Sequence, residues 1–146
     1  MNLQKEKKWS RIEGMELTNK TLGLIGAGSI GKEIARKAKP FGIHTVAVKR
    51  TPSHVEFVDE IYGIHEMDIL LSRSDFIVLA LPLMESTKNL IGKKEIEKMK
   101  STAYLINIAR GEILDERALV EALKQKRLAG AVLDVFREEP LGQDSE

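Results

Sequence analysis

Thr21-Leu22-Gly23-Leu24-Ile25-Gly26-Ala27-Gly28-Ser29-Ile30-Gly31 is the stretch on which the fold of this chain turns. A short apolar run enters a glycine triplet spaced G-x-G-x-x-G, and the pattern from Ser29 to Lys39 is helical until Pro40 and Gly42 stop it. The β-branched run Thr45-Val46-Ala47-Val48 supplies a second strand, so the segment reads as a parallel βαβ unit of about 30 residues. Each glycine has a task in such a unit: Gly26 makes the tight turn, Gly28 lets a diphosphate approach the backbone, and Gly31 lets helix and strand pack closely. Ser29 and Ile30 fill the first helical turn, where free N–H groups and the helix dipole favour negative charge. Glycine-rich turns also occur without a ligand; a strand directly before and a helix directly after make this one a dinucleotide turn.

Working outward, the alternation continues. Val58 to Gly63 reads as a weak edge strand, Met67 to Leu71 as a short helix, and Asp75 to Ala80 as a buried strand. Lys88 to Met99 reads as helical turns, Tyr104 to Asn107 as a strand, Asp115 to Lys126 as an amphipathic helix, and Ala131 to Leu133 as a last strand. Strands apolar on both faces, alternating with helices, imply a doubly wound parallel α/β sheet, Rossmann-like, over residues 20–141. Lys5 to Leu17 reads as a polar helix leading to a loop at Gly14, so residues 1–19 form a connecting or hinge segment; residues 142–146 read as a cut-off tail. Ligands of open α/β sheets bind beyond the carboxyl ends of the strands, which makes Pro82, the span Asn107 to Arg110, and Asp134 candidates by position.

Composition narrows the partners. The 146 residues carry a net charge of +1 with both signs spread along the chain, which argues against nucleic acid or anionic lipid and for a small molecule. Cysteine is absent, which removes disulfides and thiolate metal sites and fits a reducing compartment; the cytoplasm is the expected location. The polar N-terminus does not read as a signal peptide, and Phe76 to Met84 is too short to span a membrane. No Asp, Glu or His grouping has metal-ligand spacing, so no metal is expected.

Three further segments follow the glycine turn in order: Leu81-Pro82-Leu83-Met84-Glu85-Ser86-Thr87, Ile106-Asn107-Ile108-Ala109-Arg110-Gly111, and Leu133-Asp134-Val135-Phe136 through Glu139-Pro140. With the glycine motif, this series resembles the D-isomer-specific 2-hydroxyacid dehydrogenase family from Lys20 to Leu141. The resemblance implies that Arg110 binds a substrate carboxylate, a task suited to the bidentate guanidinium fork. It implies that Glu139 supports a catalytic histidine and raises its pKa. By the same resemblance Asp134 lies near the nicotinamide carboxamide, and Leu81, Pro82, Thr87, Ile108 and Ala109 line the cofactor. Met84 departs from a more usual small polar residue.

Two features break the pattern. About 20 residues beyond the turn an NAD site usually presents Asp or Glu to the ribose 2′-hydroxyl. Here stand Lys49, Arg50 and Thr51, which favour the 2′-phosphate of NADP(H) over NAD(H), although the same residues also suit a solvated turn before Pro52. The family's histidine lies downstream of Glu-Pro, and His44, His54 and His65 all precede that motif. The chain therefore reads as the cofactor domain of an enzyme acting on a 2-keto or 2-hydroxy acid, incomplete and inactive alone. Its full-length form is expected to be a homodimer, with Trp9 at the contact. A non-catalytic dinucleotide-sensing module is the alternative, since fold does not fix function.

Overall fold

A computed structural model describes residues 5–9, 14–142 and 145. Six parallel strands form one sheet in the order β3-β2-β1-β4-β5-β6. They are β1 (Thr21–Ile25), β2 (His44–Lys49), β3 (Glu60–Gly63), β4 (Phe76–Leu79), β5 (Tyr104–Asn107) and β6 (Gly130–Leu133). Four α-helices accompany them: α1 (Ser29–Ala38), α2 (Met67–Arg73), α3 (Lys93–Lys98) and α4 (Glu116–Lys124).

The strand period of two sorts apolar residues onto two cores. Val46, Val48, Ile77, Leu79 and Leu105 point to the side on which α2, α3 and α4 pack with Leu70, Leu71, Ile96 and Leu119. Leu22, Leu24, Ala47 and Val78 point to the other, under Ala35 and Ala38 of α1. Gly23 in mid-strand permits close approach of α2: a Cβ there would stand 2.3 Å from Ser74 Oγ and 2.6 Å from Leu70 Cδ2. Asp115 caps α4 by accepting the Ala118 N–H at 3.1 Å.

Charged networks gather at the N-terminal ends of the strands. Glu60, first in β3, receives a bidentate pair from Arg73 at 2.7 and 2.8 Å, the Tyr62 hydroxyl at 2.5 Å, and His44 at 2.6 Å. These bonds, Arg73 foremost, hold its carboxyl well below the usual carboxylate range. Asp75 accepts the Thr21 N–H at 2.8 Å and Lys100 at 3.0 Å; burial alone would raise its pKa, but these partners bring it below the ordinary value.

The structure corrects three readings. Lys5–Lys7 is a turn, with Lys7 at φ +52°, and residues 8–9 and 14–17 have no helical assignment, so the connecting helix is absent from the described part of this segment; residues 10–13 lie outside the described residues. The helical turns expected over Lys88–Met99 shrink to α3, because Ile91 instead forms an isolated parallel bridge with Leu114. The edge strand begins at Glu60 rather than Val58: Phe57 is left-handed at φ +69°, and Val58 N–H closes a turn onto Val55 O. Among the described residues no helix is long and apolar enough to cross a membrane.

Candidate functional site

The C-terminal strand ends lie in register. Ile25 stands opposite Val48 on one side and Leu79 on the other, Leu79 opposite Asn107, and Asn107 opposite Leu133. The residue after each strand continues this row by donating to its neighbour: Gly26 N–H to Val48 O at 3.1 Å, Ala80 N–H to Ile25 O at 2.9 Å, and Asp134 N–H to Asn107 O at 3.0 Å. Gly26, Leu81, Pro82, Ile108, Ala109, Arg110 and Asp134 thus emerge along one edge. Between β1 and β4 the strand order reverses, and the chain leaves the two strands in opposite directions, opening a crevice.

The glycine turn occupies that crevice. Gly26 sits at φ +100°, a conformation L side chains rarely adopt, and a Cβ there would stand 2.4 Å from Ala80 O. Gly31 is buried, its Cα hydrogen side 2.3 Å from Gly26 O when measured to a constructed Cβ, so the first turn of α1 lies directly on the loop. Gly28 differs from both: it is exposed, and nothing lies within 4 Å of a constructed Cβ. It is also the N-cap of α1 and supplies no side-chain cap, with no acidic residue in the first turn. Two crowded glycines flank an open one at an uncapped helix start, and this cradle fits a diphosphate. Ser29 is exposed, and Ile30 is 58% exposed, an apolar side chain beside the same opening.

Past β2, Lys49 is half-buried and donates to Ser53 Oγ at 2.7 Å. Arg50 and Thr51 are exposed, and the Arg50 guanidinium has no hydrogen bond or ion pair among the described residues. Opposite, Thr87 is buried with its hydroxyl committed to its own loop, accepting the Met84 N–H at 2.8 Å and facing Pro82 O at 3.0 Å; it shapes the Pro82–Thr87 turn. Leu81 is half-buried and Pro82 exposed.

Arg110 is exposed, with Nη1 donating to Ala109 O at 2.6 Å. Gly111 lets the last motif close over this loop: a Cβ on it would lie 2.0 Å from Phe136 C and 2.2 Å from Arg137 N. Glu139 is exposed and accepts the Phe136 N–H at 2.8 Å, folding its segment into a tight turn. That segment is fastened by Arg137, whose N–H donates to Glu116 Oε1 at 2.6 Å and whose guanidinium reaches Leu114 O at 3.3 Å and Asn89 Oδ1. The Arg110 and Glu139 segments are therefore neighbours. The three histidines stay away: His44 opens β2 at the far end of the sheet, His54 lies in the exposed loop after Arg50, and His65 precedes α2.

Sequence reasoning gave no task to Glu116 or Arg137, and made Asn107 a candidate by its place at a strand end without assigning what it does. For the first two no local signal exists, since their contacts join helix start to a loop 21 residues on. Asn107 carried one: an amide ending an apolar strand.

A parallel sheet of this order, with a glycine turn at its switch point and an open helix start above it, defines a dinucleotide-binding α/β domain. The family model described as D-isomer specific 2-hydroxyacid dehydrogenase, NAD binding domain, matches residues 1–146, and the chain belongs to this family. It is 46% identical over 130 residues to a glyoxylate reductase of Thermococcus gammatolerans, covering 87% of this chain and 38% of that protein. To a D-3-phosphoglycerate dehydrogenase of Methanocaldococcus jannaschii it is 42% identical over 141 residues, covering 93% of this chain and 26% of the relative. Among solved structures, an Aeromonas salmonicida member of the family matches with TM-score 0.93 at 36% identity, over 98% of this chain and 46% of that one. An NADPH-dependent glyoxylate/hydroxypyruvate reductase of Sinorhizobium meliloti, in complex with NADP and sulfate, matches with TM-score 0.89 at 32% identity, over 99% and 47%. The chain thus spans less than half the length of each of these proteins.

Proposed function

We propose that this chain is the NADP(H)-holding domain of an oxidoreductase acting on a 2-keto or 2-hydroxy acid. The observation that carries the reading is Gly28, the open, uncapped N-cap of α1 between two crowded glycines at the sheet's switch point. In this reading Gly28, Ser29 and Ile30 receive the diphosphate, Leu81, Pro82 and Thr87 wall the crevice, and Ile108, Ala109 and Asp134 lie toward the nicotinamide. Lys49, Arg50 and Thr51 take the 2′-phosphate, and the unpartnered Arg50 is the principal contact. The similarity to the NADPH-dependent Sinorhizobium meliloti reductase, solved with NADP, supports that preference.

The bound nicotinamide supplies or accepts hydride; the protein orients and holds. Arg110 grips the carboxylate of the acid once its guanidinium leaves Ala109 O, and Glu139 supports a proton-carrying group from outside the described residues. No histidine reaches Arg110 and Glu139 here, so the 146-residue chain by itself has no steady turnover. A homodimeric full-length enzyme in the cytoplasm belongs to the same reading, with Trp9, 89% exposed, available for the contact.

Calorimetric titration of the purified chain with NADPH and NADH tests the proposal, alongside NADPH oxidation with glyoxylate and hydroxypyruvate. Binding of both cofactors, NADPH tighter, and no steady oxidation are expected. Failure of either dinucleotide to bind overturns the cofactor reading. Steady oxidation abolished by Arg110→Ala overturns the incompleteness.

A further inference from the structure

Asn107 is fully buried at the end of β5, where it closes an otherwise apolar run. An unpaired amide there would carry the full cost of its lost hydration, yet none of its side-chain polar atoms lacks a partner. Its Oδ1 accepts the Ala109 N–H at 3.0 Å, and its Nδ2 donates to Arg110 O at 3.0 Å. Its backbone carbonyl accepts the Asp134 N–H at 3.0 Å. One residue therefore ties down Ala109, Arg110 and Asp134, three positions contributed by two different strand ends.

The chemistry requires an amide. The Ala109 bond needs an acceptor and the Arg110 bond a donor, and the Asn amide presents the two on separate atoms at every pH. Leucine or alanine would leave Ala109 N–H without a partner inside a closed turn and Arg110 O with only the longer bond from Ile113 N–H at 3.3 Å. The residue that follows this turn, Gly111, is packed directly on Phe136 and Arg137, where a Cβ would stand 2.0 Å from Phe136 C.

We propose that Asn107 is a positioning residue, setting the Ile108–Arg110 turn against Asp134 so that the crevice accepts a dinucleotide. The proposal rests on the cofactor reading above. Asn107 touches neither cofactor nor substrate in it; it acts through the backbone it fixes.

The test compares wild type, Asn107→Ala and Asn107→Asp in the 146-residue chain. The readouts are hydrogen exchange at the Ala109 amide, calorimetric NADP+ affinity from pH 5 to 8, and circular dichroism for fold. Asn107→Ala is expected to raise Ala109 exchange and weaken NADP+ binding, each about tenfold or more, the effect of one lost hydrogen bond of about 1.4 kcal/mol. Asn107→Asp keeps an acceptor for Ala109 at all pH values. Protonated, its carboxyl also donates to Arg110 O; ionised, it repels that carbonyl. Burial disfavours the ionised form. The ratio of wild-type to Asn107→Asp affinity should therefore lie near one at pH 5 and rise about tenfold toward pH 8, a profile that loss of packing alone does not produce. Taking the ratio removes the titration of the 2′-phosphate itself.

A ratio independent of pH, or wild-type affinity in folded Asn107→Ala, overturns the proposal. If Asn107→Ala does not fold, the Asn107→Asp profile decides. If wild type binds no dinucleotide the cofactor reading fails separately, and unchanged Ala109 exchange in folded Asn107→Ala would then overturn the positioning role independently.

Discussion

Replacing Gly28 and Gly31 by alanine separates ligand space from packing space within one turn. At Gly28 a Cβ meets nothing within 4 Å, and the backbone, at φ −77° and ψ −158°, is one any residue adopts. Restricting the unfolded chain stabilises by about 0.4–1 kcal/mol, while alanine is a poorer N-cap than glycine by about 1 kcal/mol. The two nearly cancel, so the melting temperature should move by no more than about 4 °C. The methyl group nevertheless stands where a diphosphate meets the helix start. Loss of one charge-assisted hydrogen bond, about 1.5–3 kcal/mol, weakens NADP+ binding about 10-fold to 150-fold. At Gly31 the Cβ would lie 2.3 Å from Gly26 O, about 1 Å inside an ordinary carbon–oxygen contact of roughly 3.3 Å. The helix must lift from the loop at about 1–3 kcal/mol, lowering the melting temperature by about 3–10 °C. Thermal melts by circular dichroism and calorimetric titration read both effects. Gly28→Ala that binds NADP+ like wild type with its fold intact refutes the reasoning.

Arg50→Gln should lower the preference for NADPH over NADH about tenfold, the exposed end of the charge-assisted range, and leave NADH affinity unchanged; equal losses for both cofactors, measured by calorimetry, would show that Arg50 does not meet the 2′-phosphate. The depressed carboxyl of Glu60 predicts a pH dependence. A group whose folded pKa lies below its unfolded value contributes stability that is present above the unfolded value, here about 4.5, and lost as pH falls through the folded one. Glu60→Gln should accordingly lower the melting temperature at pH 7 and flatten its decline below about pH 4.5; parallel profiles for wild type and variant would contradict this sign.

The βαβ unit was legible because its signals are local: the glycine spacing, the Pro40–Gly42 stop and the β-branched run need no distant partner. The strand ends that carry Leu81, Arg110 and Asp134 were legible for the same reason, since a parallel sheet places successive strand ends together whatever their loops do. Ile91 shows the limit. It falls within the helical turns read over Lys88–Met99, but its N–H donates to Ile113 O at 3.1 Å and its carbonyl accepts the Asp115 N–H at 2.9 Å across the fold, and no window around residue 91 contains that information. Phe57 likewise takes a left-handed turn beside Thr45, whose hydroxyl donates to Phe57 O at 2.9 Å. The closure of Phe136–Glu139 over Gly111 was hidden too, because glycine in Ala-Arg-Gly reads equally as flexibility until the crowding against Phe136 is seen.

The unequal covering of the sheet reaches beyond cofactor chemistry. Six strands about 4.8 Å apart span roughly 24 Å, whereas a helix with its side chains is about 10–12 Å across. Three helices shield one face; among the described residues α1 is the single α-helix on the other. Along the cross-strand row Val78, Ile106 and Val132, shielding fades from 5% exposure through half-burial to 57% at the edge. That apolar corner is where self-association of the domain in concentrated solution is expected to begin. Sulfate or phosphate salts, which strengthen apolar association, should favour it, and Val132→Thr should raise the salt concentration at which light scattering appears.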